Sequence, residues 1–181
     1  GQHAFYNPEE IIDEQLNAGK SLADARHGGS SGCVETGCWG YEAYPLTGYF
    51  NLPKILEVTL NNGVDPRSGK MIGIETGDPR DFETFEELFD AYKKQVKYFE
   101  DVKVNGSNIN TQLTAKYNPV PYMSLLTEDC IARGEDYNAG GARYNTTYLQ
   151  GVGIGSITDA LSSLKYNVYD EKRFTMDELL E

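Results

Sequence analysis

Residues 27–40 read HGGSSGCVETGCWG, with glycine at positions 28, 29, 32, 37 and 40. So few side chains remain that neither the apolar stripe of a helix nor the alternation of a strand can form there. From 27 to 50 the chain therefore reads as a loop carrying short extended pieces, held between two helices. It displays Cys33 and Glu35, two positions apart, on a bed of small residues. Whatever this chain folds into must be built around that loop.

The flanking helices announce themselves through their ends. Asn7-Pro8-Glu9-Glu10 supplies an N-cap, a proline at the first helical position and an acidic first turn, with Ile11, Ile12 and Leu16 as the apolar face of a helix over 8–18. Asn51-Leu52-Pro53 opens a second helix with Leu52, Ile55, Leu56 and Leu60 on one stripe, ended by Gly63. VDPRSGK reads as a turn, 71–74 as a short strand and TGDPRD as another turn. Thr84 and Glu87 form a capping box before a long helix whose stripe is Phe85, Leu88, Phe89, Tyr92, Val96 and Phe99. Ile109, Gln112 and Leu113 keep its period past Asn105-Gly106 to about residue 116. Pro119 and Pro121 predict extended chain, followed by a short helix over 125–133 stopped by Gly134.

A second glycine-rich segment, NAGGARYNTTYLQGVGIGS, spans 138–156. Its centre, 144–149, favours a strand, and a helix is expected over 156–166. Gly151, Gly153 and Gly155 imitate a dinucleotide loop, yet the acidic residue that a Rossmann unit places after its second strand is missing, so close backbone packing is the reading adopted. Phe174, Thr175, Glu178 and Leu179 make a stapled capping box for a helix that the sequence breaks off at Glu181, and the chain does not begin with methionine. It reads as a piece of a longer protein. Helices alternating with short strands place it in the α/β class.

Composition narrows the chemistry. Net charge is −12, with no basic cluster longer than Lys93-Lys94, which argues against a nucleic-acid partner. No apolar run approaches the roughly 20 residues that span a bilayer, and the first residues form no export signal. A soluble, cytoplasmic protein is expected. Three cysteines, Cys33, Cys38 and Cys130, cannot all pair within one chain, which argues for a reducing compartment. Cys33 and Cys38, with only His27 nearby, fall short of the four close ligands of a structural zinc site, so no metal is expected.

The residues around Cys33 leave several readings open. A cysteine among glycines and serines is often a small unreactive side chain, and Glu35 is then a solvent-facing acid. An ionic nucleophile with His27 as its base is the second reading, but Glu35 beside a thiolate raises its pKa and works against it. A cysteine that carries a hydrogen atom is neutral as thiol and as thiyl radical, so the carboxylate does not oppose that third chemistry.

SGCVETGCWG, LTGYFNLPKILEVTLNNG and YNAGGARYNTTYLQGVGIGSITDALSSLKY closely resemble the glycyl radical enzymes, over nearly the whole chain. The resemblance implies that the 181 residues form one partial domain, from the central to C-terminal part of a ten-stranded α/β barrel, mostly helical with short strands. Cys33 would sit on a finger loop at 27–50 inside it, where glycines let the chain thread a crowded interior. It implies Cys33 as hydrogen-atom carrier and Glu35 as the acid/base group, with burial holding the Glu35 pKa close to neutral.

Val34 after Cys33, where pyruvate formate-lyase has a second cysteine, points to the eliminases and decarboxylases. GCVETGCWG followed by EAYPLTGYFN looks most like the branch that dehydrates trans-4-hydroxy-L-proline to (S)-1-pyrroline-5-carboxylate, and Tyr49 matches a pocket tyrosine of that branch. Tyr49 as an ordinary core aromatic is an equal alternative. Trp39 and Cys38 are read as packing. The rival functions are elimination from glycerol, propane-1,2-diol, choline or isethionate, arylacetate decarboxylation, and a non-catalytic scaffold.

The family's Arg-Val-x-Gly-Tyr-type motif, which bears the radical glycine, occurs nowhere in these 181 residues. No cofactor is expected to bind this chain directly. The implied partners are a small-molecule substrate, a radical-SAM activating enzyme and a second copy of the parent in a homodimer. The fragment alone is expected to be inactive.

Overall fold

The computed structural model describes residues 6–30 and 35–181. In chain order the helices are α1 (Pro8–Asn17), α2 (Leu22–Arg26), α3 (Leu52–Leu60), α4 (Phe85–Tyr117), α5 (Pro121–Leu126), α6 (Cys130–Arg133), α7 (Ile154–Leu164) and α8 (Met176–Leu180). The strands are β1 (Gly28–Ser30), β2 (Thr36–Cys38), β3 (Glu42–Ala43), β4 (Leu46–Asn51), β5 (Val64–Asp65), β6 (Lys70–Met71), β7 (Tyr144–Asn145) and β8 (Tyr148–Val152). They form four separate pairs: β1–β2 and β5–β6 antiparallel, β3–β7 parallel, and β4–β8. Helices dominate and the strands are short, as expected of this α/β chain. No helix among the described residues is long and apolar enough to cross a membrane.

Two compact units emerge, Gly1–Gly48 with Ser107–Leu149, and Tyr49–Gly106 with Gln150–Glu181. The second is organised by a core of Ile55, Leu56, Leu88, Tyr92, Ile157, Leu164 and Met176. Its helices start where their caps dictate. The Asn51 side chain accepts from the Lys54 N–H (3.1 Å), and Thr84 and Glu87 close a reciprocal box at the head of α4. At α8 the expected Thr175–Glu178 box forms too, but Phe174 and Leu179 stay exposed and Met176 is the buried anchor.

The strand expected over 71–74 is only β6, for a visible reason. The N–H groups of Ile72 and Gly73 both donate to the Gly63 carbonyl, and the buried Gln95 amide takes both the N–H and the carbonyl of Ile74. A side chain of α4 thus satisfies the backbone groups that a strand partner would have used. Of the three alternating glycines, one is required: Gly153 has φ +86°, and a Cβ there would lie 2.6 Å from the Pro53 ring. Gly151 meets Leu52 only at van der Waals distance and Gly155 meets nothing. The following helix begins at Ile154, two residues early, and its last turn widens to a π-turn over Lys165–Asp170.

In the first unit, α1 starts on Asn7 as expected, yet it buries Ile11 and Gln15 while Leu16 is exposed. The predicted helix over 125–133 is instead two short helices. Pro121 opens α5 at its first position, where a missing N–H costs nothing. Asp136 accepts from the Val120 N–H and the Ser124 hydroxyl, and Asp129 at φ +75° separates α5 from α6. Gly134 stops α6 in the left-handed conformation, as expected. Ala43, Cys130 and Ala142 make a small core there, with Tyr137 packed against it.

Candidate active site

The glycine-rich loop is a hairpin. Strand β1 pairs antiparallel with β2 in the register Gly28↔Cys38, Gly29↔Gly37 and Ser30↔Thr36, so residues 31–35 connect the two strands. Cys33 belongs to that connection and lies outside the described residues. Glu35 is half-buried and leads directly into β2. Tyr49 lies on β4, exposed, at the edge of an apolar hollow of about 300 Å³ shared with Phe50, Ile55, Val58, Phe99 and Val102. It belongs to the second unit, whereas Glu35 belongs to the first. His27 caps the end of α2 at the open end of the hairpin, its ring 6.5 Å from that of Tyr41.

Strand β2 is buried at all three positions and gripped from several elements. The Cys38 N–H donates to Glu42 Oε2 (2.9 Å), the Tyr148 hydroxyl donates to the Thr36 carbonyl (2.7 Å), and Gln15 Nε2 donates to Thr36 Oγ1 (3.3 Å). A Cβ on Gly37 would fall 2.4 Å from the Tyr44 ring and 2.5 Å from Glu42 Oε2. Glycine is needed here because a carboxylate and an aromatic ring lie against the strand. Glu42 is fully buried at its side chain and doubly satisfied: Lys20 Nζ donates to Oε2 (2.5 Å) and the Thr146 hydroxyl to Oε1 (2.5 Å). Lys20 also donates to the side-chain Oε1 of Gln15. Burying such an ion pair is tolerable only because its remaining hydrogen-bonding sites are filled.

The electrostatics follow from that burial. The Cys38 thiol is pushed up by burial, with Glu42 adding in the same direction and Lys20 opposing. It therefore stays a protonated, packed thiol, in line with its reading as packing. Tyr148 is pushed up to about 12 by burial, with the charges of Glu42, Glu14 and Glu35 adding to it. Tyr44, stacked on Tyr148 at 6.2 Å between ring centroids, is raised further for the same leading cause. Trp39 packs as expected but without being buried: its indole N–H donates to the Ser30 carbonyl (3.2 Å) and its ring covers Gly29, while the residue is 57% exposed.

A second network fastens α2 to the NAGGARYN segment. Arg143 grips Asp129 with two hydrogen bonds of 3.1 Å and reaches Asp24 at 3.2 Å, and the Tyr144 hydroxyl donates to Asp24 (2.7 Å). Arg143 and Tyr144 thus tie this segment to α2 and to the start of α6.

Sequence reasoning missed Lys20, Gln15, Glu42, Thr146 and Tyr148. Glu42 stood in the EAYPLTGYF string, but nothing local marks a glutamate as buried.

The second strand of this hairpin is thus held by buried side chains from several elements. The chain belongs to the pyruvate formate lyase-like family, whose model matches residues 1–181. It is 61% identical over its whole length to trans-4-hydroxy-L-proline dehydratase of Clostridioides difficile, covering 23% of that protein. The crystal structure of that organism's hydroxyproline dehydratase with trans-4-hydroxy-L-proline bound matches 99% of this chain and 23% of its own, at TM-score 0.93 and 62% identity. A structure for 1,2-propanediol dehydration in Roseburia inulinivorans matches at TM-score 0.89 and 38% identity, covering 99% of this chain and 22% of that one. The chain thus spans about a quarter of the length of these relatives.

Proposed function

We propose that this chain is part of a glycyl radical dehydratase that eliminates water from trans-4-hydroxy-L-proline to give (S)-1-pyrroline-5-carboxylate. The observation that carries the reading is the 61% identity to trans-4-hydroxy-L-proline dehydratase across all 181 residues. In this reading the 181 residues are part of one ten-stranded α/β barrel, with the β1–β2 hairpin as the finger loop inside it. The enzyme is cytoplasmic and works anaerobically as a homodimer. A glycyl radical elsewhere in the parent enzyme, installed by a radical-SAM activating enzyme, supplies the unpaired electron.

The roles of the chain's own residues follow from charge and bond balance. Cys33 as thiyl takes the hydrogen atom from the ring carbon beside nitrogen, forming S–H and a carbon radical next to the hydroxyl-bearing carbon. Glu35, protonated, gives its proton to the departing hydroxyl so that water leaves, and its carboxylate accepts the proton released from the ring nitrogen. The carbon radical, now on the former hydroxyl-bearing carbon, recovers a hydrogen atom from the Cys33 thiol. Thiyl and carboxylic acid are restored, and substrate has become product plus water. Tyr49 is assigned to the substrate pocket.

The test is the full-length enzyme, activated anaerobically and assayed against trans-4-hydroxy-L-proline, glycerol, propane-1,2-diol, choline and isethionate. Dehydration of hydroxyproline above the others is expected. Cys33→Ser should abolish turnover, because an alkoxyl radical is far harder to form than a thiyl. Glu35→Gln should block elimination while the glycyl radical still forms. Retained dehydration in either variant overturns the assigned role.

A further inference from the structure

Glu42 lies seven residues past Glu35 and lines neither the hairpin connection nor the hollow beside Tyr49, yet it lies against two of the three residues of β2. Its Oε2 takes the Cys38 N–H and the Lys20 ammonium, its Oε1 takes the Thr146 hydroxyl, and the same carboxylate occupies the space above Gly37. Lys20 in turn ties it to Gln15, which reaches Thr36. The side chains of Lys20 and Glu42 are 6% and 0% exposed, so water cannot substitute for these bonds. The strand fixed in this way begins one residue after Glu35 and three after Cys33.

We infer that Glu42, held by Lys20 and Thr146, is a positioning residue for the reaction: it sets the placement of β2 and thereby of Glu35, the residue directly before it. The inference rests on the role proposed above for Glu35. A hydrogen-atom transfer and a proton transfer have to be aligned on adjacent substrate carbons, and a misplacement of about 1 Å can cost on the order of 100-fold in rate. A strand held only by its single backbone ladder with β1 would leave that freedom.

The experiment uses the full-length, activated enzyme with trans-4-hydroxy-L-proline. The double variant Lys20→Met/Glu42→Leu removes the pair without stranding a buried charge. It leaves the Cys38 N–H and the Thr146 hydroxyl without an acceptor, so it should melt below wild type, but once folded it should carry the wild-type yield of glycyl radical by electron paramagnetic resonance. KM should stay within about threefold, while kcat per radical falls roughly 10- to 100-fold. Thr146→Val and Tyr148→Phe each remove one bond from the support and should lower kcat per radical by a smaller factor, whether or not the double variant folds. Unchanged kcat per radical in these two, or in a folded double variant, overturns the inference. So does a loss that only tracks lost radical. If wild type itself fails to dehydrate hydroxyproline, the proposed function has failed instead.

Discussion

Asp24 shows how one side chain can couple distant segments and make their union sensitive to acid. Its carboxylate accepts from the Tyr144 hydroxyl and from Arg143, while its own N–H donates to the Ser21 hydroxyl. The Tyr144 hydrogen bond is the leading cause holding its pKa below 3.8, against burial, which raises it, with Ser21 and Arg143 assisting. A depressed folded pKa means the network contributes stability above the unfolded value, and this contribution is lost as pH falls through the folded one. Asp24→Asn should therefore lower the melting temperature of the full-length protein at pH 7. The difference from wild type should shrink below about pH 4. A gap that stays constant down to pH 3 would count against this account. At this scale Cys33 and Glu35 were legible as a motif, whereas Asp24 and Glu42 were not, because their partners Arg143, Tyr144 and Thr146 lie over a hundred residues away in sequence.

Two glycines in different elements illustrate opposite local rules. Gly106 sits exposed within α4, with nothing within 4 Å of a built Cβ, so it only weakens the helix. Gly106→Ala should stabilise by roughly 0.5–1 kcal/mol. Gly153, at φ +86° and pressed on the Pro53 ring, caps the start of α7. Gly153→Ala should destabilise by about 1–3 kcal/mol. Melting midpoints shifting in opposite directions check both, and a shared direction refutes the pair. The long period of α4 was readable through Gly106 because the stripe resumes on its far side. The break between α5 and α6 was not, since it depends on Asp129 being drawn to Arg143 and on the Glu128 N–H reaching the Gly40 carbonyl.

For the molecule as a whole, the proposed radical chemistry needs a glycine motif that these 181 residues do not contain. Expressed by themselves and mixed with the radical-SAM activating enzyme, they should show no glycyl radical doublet by electron paramagnetic resonance, while the full-length enzyme should show one. A doublet from the 181 residues would overturn that division. The sequence by itself determined the helix starts at Asn7, Asn51, Thr84 and Thr175, and the family. Caps, periodicity and glycine content act over a few residues, and a family motif is a string. Only the tertiary structure decided that α1 buries Gln15 rather than Leu16, that Gln95 replaces a strand beside Ile74, and that Glu42 anchors β2. Burial and hydrogen-bond partnership are properties of what meets in space, and the groups that meet here lie from four to over a hundred residues apart in sequence.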